Sequence, residues 1–211
     1  DLLCGLVSVA MLVMHGAAWL VLKTEGPVAT RARNFGSIAA LATTVLFALG
    51  GILLWFGVDG YRFTSEVVTD GPSNPLAKTV EVATGVWFSN YAAHPWTMLA
   101  PALGLAFPLV AFILLRLRRE VMALLASSLA IFGIIATVGL SMFPFILPSS
   151  VDPKSSLTVW DASSSHMTLF NMLVVTLIFV PIIVAYTSWV YRVLWGKVDE
   201  KAIRDDSGHA Y

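Results

Sequence analysis

Long apolar runs alternate with short polar breaks along the 211 residues. Five runs are free of Asp, Glu, Lys and Arg: Leu2–Leu22, Phe35–Val58, Pro95–Leu115, Val121–Leu147 and Met167–Tyr191. Each holds the roughly 20 residues a helix needs to cross about 30 Å of hydrocarbon. Lipid offers the backbone no hydrogen bonds, so only helices and closed barrels span it. A barrel would show short alternating strands, and these runs are continuous. The pattern therefore predicts an all-α, polytopic transmembrane helix bundle with five spans in this segment.

The polar breaks have their own local rules. The Asp59–His94 connection is long and carries a turn signal at Ser73-Asn74-Pro75. Val80–Tyr91 is expected to form a short interfacial helix, with Trp87, Phe88 and Tyr91 at headgroup level. Between Pro148 and His166, Asp161 and Ser163 to Ser165 offer side-chain oxygens for the start of the last helix, and Asp161 is expected to be its cap. Trp160 suits the lipid–water boundary. Asp59 reads as a helix end followed by a turn. Gly50-Gly51, Pro144 and Pro181 are expected bends. The domain reading is a transmembrane bundle over 1–197, with 59–94 as an outer loop, followed by a polar tail over 198–211.

Two stripes of small residues stand out within the spans. Gly36, Ala40, Thr44 and Ala48 recur every four residues. Ala126, Ala130, Gly133, Ala136 and Gly139 follow at mixed spacings of three and four. Packing, not hydrophobicity, drives helix association in lipid, and small residues let backbones approach. Both stripes are expected at helix–helix contacts within the bundle or with a partner subunit.

Composition agrees. Hydrophobic residues make up 57% and charged residues 12%, about half the charged share of an average soluble domain. A soluble core of this size could not hide that much apolar surface. Net charge is zero, which argues against nucleic acid as a partner. The single cysteine, Cys4, excludes an internal disulfide and a cysteine metal cage; it reads as a small apolar residue. Leu2–Leu22 lacks a charged n-region and a cleavage site, so it is not read as a signal peptide. With Asp1 leading straight into an apolar run, the chain is expected to be part of a longer one.

Lysine and arginine set the expected orientation. Lys23, Arg31 and Arg33 follow the first span; Arg116, Arg118 and Arg119 follow the third; Arg192, Lys197, Lys201 and Arg204 close the chain. These are ten of the thirteen, leaving Arg62, Lys78 and Lys154 on the other side. The positive-inside rule then puts the C-terminus in the cytoplasm and the two long loops and the start of the segment outside. The arginine trio reads as an orientation signal in contact with lipid phosphate.

Candidate chemistry is sparse. An ionisable group inside a membrane is a functional candidate by default, and His15 is the one good case. Its imidazole could ligate haem or relay protons, but no second mid-span histidine faces it. His94 and His166 sit at the outer boundary and His209 in the tail. A hydrogen-bonded packing role is therefore preferred, with a proton path second and haem ligation last. Met142, Met167 and Met172 could serve as axial ligands, yet methionine commonly fills membrane cores. Asp161 could guide protons or hold a quinol headgroup, but capping explains it more simply. No phosphate loop, Cys/His metal spacing or nucleophile–base pair is present.

The stretch from Met142 to Met172 is more specific than a generic membrane segment requires. It holds Met142-Phe143-Pro144-Phe145, then Pro148-Ser149-Ser150, then Ser156-Leu157-Thr158-Val159-Trp160-Asp161-Ala162-Ser163-Ser164-Ser165. It resembles the second subunit of cytochrome bd-type quinol oxidases. The likeness continues through Gly57-Val58-Asp59-Gly60-Tyr61, Ser73-Asn74-Pro75-Leu76 with Lys78, Pro95-Trp96, Pro101 to Gly104, Pro108-Leu109, and Pro181 to Ile183 with Tyr186-Thr187 and Trp189. It covers essentially the whole chain, which looks like the C-terminal portion of that subunit.

The resemblance implies a subunit of a bacterial inner-membrane complex that oxidises ubiquinol or menaquinol and reduces dioxygen to water. Such a complex pumps no protons. Charge separates because quinol protons leave outside while protons for water enter from inside. Two b-type haems and one d-type haem would sit in the partner, the haem-bearing subunit I. The second subunit would stabilise the assembly, contribute to proton access and hold a structural quinone, alongside small accessory subunits and membrane lipids. The family's polar residues proposed for proton entry lie in its N-terminal part. No catalytic, cofactor-binding or metal residue is therefore carried over to this chain. The alternatives are a secondary transporter fragment, slightly encouraged by Gly50-Gly51 and Pro181 but lacking an inverted repeat, and a structural membrane scaffold.

Overall fold

The computed structural model describes residues 2–65, 74 and 76–197. Among them, five helices are long and apolar enough to cross a membrane. They are α1 (Leu2–Lys23), α2 (Gly26–Gly57), α4 (Leu99–Arg116, entered through a 3-10 turn over Pro95–Met98), α5 (Glu120–Met142) and α6 (His166–Val193). A five-residue helix, α3 (Ser89–Ala93), lies in the first long loop. That loop also holds β1 (Asp59–Phe63) and β2 (Val80–Thr84), and the second holds β3 (Phe145–Leu147) and β4 (Leu157–Thr158). The expectations at Ser73 and Pro75 and in the 198–211 tail lie outside the described residues.

Four of the long helices close into a bundle. α1 packs on α2, α2 on α4, α4 on α5, and α5 back on α1. The buried faces are made largely of alanine. Ala39, Ala40, Ala111, Ala126 and Ala130 surround Met14, and Ala17, Ala18, Ala32 and Ala123 surround Val21 and Leu115. Buried hydroxyls on these faces bond within their own helix: Ser37 Oγ donates to Arg33 O at 2.8 Å and Thr43 Oγ1 to Ala39 O at 2.8 Å. They thus stay satisfied without a water or a partner helix.

The small-residue stripes mark the closest approaches. A Cβ on Gly36 would lie 2.7 Å from the Ala17 Cβ, and one on Gly133 would lie 2.5 Å from Gly104 N and 2.9 Å from Ala100 O. A Cβ on Gly104 would meet the Phe47 ring at 2.7 Å. Gly139 ends its stripe differently: it is exposed, with open space where a Cβ would stand. α2 runs unbroken through Gly50 and Gly51, as α6 does through Pro181.

Three boundaries differ from the sequence expectation. Arg31 and Arg33 lie in the first turns of α2, not in a loop. Pro27 suits a helix start, and 32 residues give about 48 Å of helix, so the basic turns extend past the hydrocarbon. At the other end of the bundle α5 stops at Met142, and Phe145–Leu147 is strand. Pro144 disfavours a helical conformation in the residue before it, and Phe143 is extended at ψ 133. Finally, Val80–Thr84 is a strand, not helix, antiparallel to Asp59–Phe63. Trp87 and Tyr91 beyond it are buried against the rest of the chain.

α6 is the exception to the bundle. None of its residues is buried. Near its end it is fastened to α1: Lys23 Nζ donates to Leu194 O at 3.0 Å, and the Trp19 and Tyr191 rings meet edge-on at 5.5 Å.

The glycine contacts give the first prediction. Gly133→Ala in the full-length chain forces α4 and α5 apart against backbone atoms, at about 1–3 kcal/mol, and lowers the thermal unfolding midpoint by several degrees. Gly139→Ala does not lower the midpoint, because its Cβ meets open space and alanine favours the helix. Equal midpoints for the two variants in a detergent melt would contradict this packing.

Candidate functional site

Three polar centres lie at three levels of the bundle. The middle one is His15 on α1. Its Nδ1 lies 2.9 Å from Ser127 Oγ on α5. Ser127 has one hydroxyl proton, and it goes to Leu124 O at 2.8 Å. With that proton on Leu124 O, the contact is one in which His15 Nδ1 donates and Ser127 Oγ accepts. The pair joins two helices through a shared hydrogen bond in the bundle interior. This agrees with the packing role expected for His15. Ser127 escaped the sequence reading, although an intramembrane histidine demands a partner and a buried-face serine is the obvious class.

At one end the charges gather. Arg33 Nη2 lies 3.7 Å from Glu120 Oε1, and Lys197 Nζ lies 2.7 Å from Glu120 Oε2 and 4.0 Å from Glu25 Oε1. Glu120, in the first turn of α5, is also favoured there by the helix dipole. Lys23 stacks over Trp19 and Trp195 at 5.5 and 5.2 Å. Arg116 covers Phe112 at 5.6 Å. Lys23, Arg33, Arg116 and Lys197 thus share one end of the molecule.

The opposite end is a folded cap in which the two long loops hold each other. Phe63 and Phe145 stack at 4.8 Å, with Tyr61, Trp87 and Trp160 around them. Tyr61 Oη donates to Ser149 O at 3.0 Å. Gly60 makes room for this, because a Cβ there would lie 2.9 Å from Trp87 N. From α3, Asn90 Nδ2 donates to Leu140 O and Phe143 O at 2.8 and 2.6 Å, and Tyr91 Oη bonds Ser141 Oγ at 2.8 Å. Leu140 O, one of the last carbonyls of α5 left unpaired by geometry, and Phe143 O just beyond the helix are thus satisfied from the neighbouring loop.

Asp161 belongs to this cap and does not cap α6. Ser165 does that, accepting from Thr168 N at 3.4 Å. Asp161 Oδ2 instead meets Lys78 Nζ at 2.5 Å and accepts from Thr158 Oγ1 at 2.7 Å. Burial pushes the carboxyl up, but the hydrogen bonds from Lys78 and Thr158 and the lysine's charge outweigh it and hold Asp161 below its ordinary value. Asp59 likewise begins β1 instead of a turn, with Thr84 Oγ1 donating to its Oδ1 at 2.8 Å. Trp160 packs on Phe63 and Phe143.

Among the described residues no group of three or more His, Cys, Asp or Glu is placed to hold a metal. His94 and His166 are both exposed at the cap end, and Met167 and Met172 are exposed on α6. Met142 is half-buried at the end of α5.

A family profile for cytochrome bd terminal oxidase subunit II matches residues 1–194. The chain belongs to that family. It is 40% identical over 210 residues to the cytochrome bd-I ubiquinol oxidase subunit 2 of Escherichia coli K12, covering 100% of this chain and 55% of the relative. It is also 40% identical over 209 residues to the probable cytochrome oxidase subunit 2 of Haemophilus influenzae, covering 99% and 55%. The chain thus spans about half the length of the curated relatives it matches. Membership in the subunit II family disfavours the transporter alternative.

The Lys78–Asp161 pair generates a second prediction. Asp161→Asn removes the charge that meets the Lys78 ammonium, which is 4% exposed. Breaking such a pair from one side costs about 3 kcal/mol, and the thermal midpoint of the full-length chain falls accordingly. Because the folded carboxyl titrates below its ordinary value, its stabilising contribution is present above that value. It is lost as pH falls through the folded one. The wild-type midpoint therefore drops on acidification into the carboxylate range, and Asp161→Asn removes that part of the drop. Parallel pH–midpoint curves for the two proteins would exclude the pair as the source.

Proposed function

We propose that this chain is part of the non-haem-ligating subunit of a bd-type terminal quinol oxidase, oxidising quinol and reducing dioxygen to water in aerobic respiration. It braces the haem-bearing subunit I in the bacterial inner membrane, with its C-terminus in the cytoplasm. The single observation that carries the reading is the subunit II family match over residues 1–194.

The physical features agree with a bracing role. His15 shares an interhelical hydrogen bond with Ser127, and the buried helix faces are made largely of alanine; both suit a helix bundle that braces a neighbour. The proposal assigns no catalytic, cofactor-binding or metal-binding residue here. The two b-type haems and the d-type haem belong to the partner, as does the quinol reaction. A structural quinone and small accessory subunits belong to the whole assembly. The gathered basic residues at the Lys23, Arg116 and Lys197 end support the cytoplasmic assignment of that end.

The test is the complex purified with its partner. We expect the haem absorbance of a bd-type oxidase, unchanged in band positions and haem content by His15→Ala in the full-length subunit. That substitution removes one interhelical hydrogen bond, about 1 kcal/mol, and shows only as a lower melting temperature. Loss of one haem band on His15→Ala, with the assembly intact, would place a ligand in this chain. A partnered preparation without haem absorbance would end the oxidase reading.

A further inference from the structure

The outer side of the α1–α2 pair carries a groove of about 490 Å³ that the oxidase reading does not use. Val13, Gly16, Ala17 and Leu20 form one wall, and Val28, Ala32 and Phe35 the other, with Arg31 among them. On each helix these positions follow the three-and-four spacing of one face. The floor is shallowest in side chains at Gly16, where nothing lies within 4 Å of the place a Cβ would take. Val13, Leu20, Val28 and Phe35 stand up on both sides and are all exposed.

Arg31 differs from the other charged groups nearby. Arg33 and Lys197 are held by Glu120, and Lys23 by Leu194 O and two indole rings. Arg31 has no hydrogen-bond or carboxylate partner among the described residues, and no acidic residue lines the groove. It sits in the second turn of α2, at the end of the bundle where the basic residues gather. An apolar trough thus carries one guanidinium that no carboxylate among the described residues neutralises.

We propose that this groove is a binding site for one anionic phospholipid, with the phosphate on Arg31 and the upper part of an acyl chain along Gly16, Ala17 and Ala32. The dimensions suit a chain: Val13 to Leu20 spans about 10 Å of helix rise, a fraction of one leaflet. The charge suits a phosphate, since a guanidinium presents paired donors that match two of its oxygens. A transmembrane helix laid on the same face would bury Arg31 without a counter-charge unless it brought its own acid. A phosphate at the membrane surface provides the anion where the arginine already stands.

The proposal is independent of oxidase turnover, because its readout is the labelled peptide. The full-length subunit in its native complex is placed in phosphatidylcholine nanodiscs containing phosphatidylglycerol with a photoreactive acyl chain. Adducts are mapped by mass spectrometry. We expect them to concentrate on residues 13–20 and 28–35. Arg31→Gln should lower their yield about fivefold, as expected for one basic side chain at an anionic headgroup, while Arg31→Lys keeps most of it. A phosphatidylcholine probe of the same design should label about fivefold less. Gly16→Leu, which has room to fold, should fill the floor and remove labelling at an unchanged melting temperature. Labelling indifferent to Arg31 or to headgroup charge overturns the proposal. So does an absence of adducts, or capture of a polypeptide instead of lipid by a photoreactive phenylalanine analogue at position 28.

Discussion

The bundle depends on how closely α4 can lie against α5. Gly133 faces Gly104 and the Ala100 carbonyl at distances no Cβ could occupy. In lipid, burying an apolar side chain gains little, because the surrounding tails are just as apolar. What remains is van der Waals contact, which grows as backbones approach. The alanine faces of α1, α2, α4 and α5 extend the same solution around the ring. The buried hydroxyls fit the same packing: Ser37 and Thr43 turn back on their own helices.

Close packing also explains why chemistry is scarce within the spans. A ligand site needs a cavity and convergent polar groups. Here the one intramembrane imidazole is committed to Ser127, and the polar residues concentrate at the two ends. One end is electrostatic, built on Glu120 between Arg33 and Lys197. The other is a folded cap, built on aromatic rings and the Lys78–Asp161 pair. The polar groups at the two ends and the alanine-lined middle divide the bundle along its length.

Much of this was legible along the chain. The five spans were, because each is a charge-free run with the length lipid requires. The stripes around Gly36 and Gly133 were, because small residues at helical spacing have few other uses in a membrane. The extension of α2 back to Gly26 was not: hydropathy reports where hydrocarbon ends, whereas a helix ends only where its hydrogen bonds do. Val80–Thr84 was missed because five residues of alternation are too short to outweigh the aromatic run beyond them. Asp161 was assigned to the nearest helix start, as local rules dictate. Its actual partner, Lys78, lies 83 positions away, and no periodicity reaches that far. Ser127 was missed for the same reason, being 112 positions from His15.

The cap has a consequence for how such a chain can vary. Phe145 belongs to the second loop, yet Tyr61, Phe63 and Trp87 of the first all touch it. The α5 terminus likewise borrows its donors from Asn90. Neither segment can lengthen, shorten or change a ring alone without uncovering the other. Two connections far apart in the polypeptide are therefore bound to drift together, as one inherited unit.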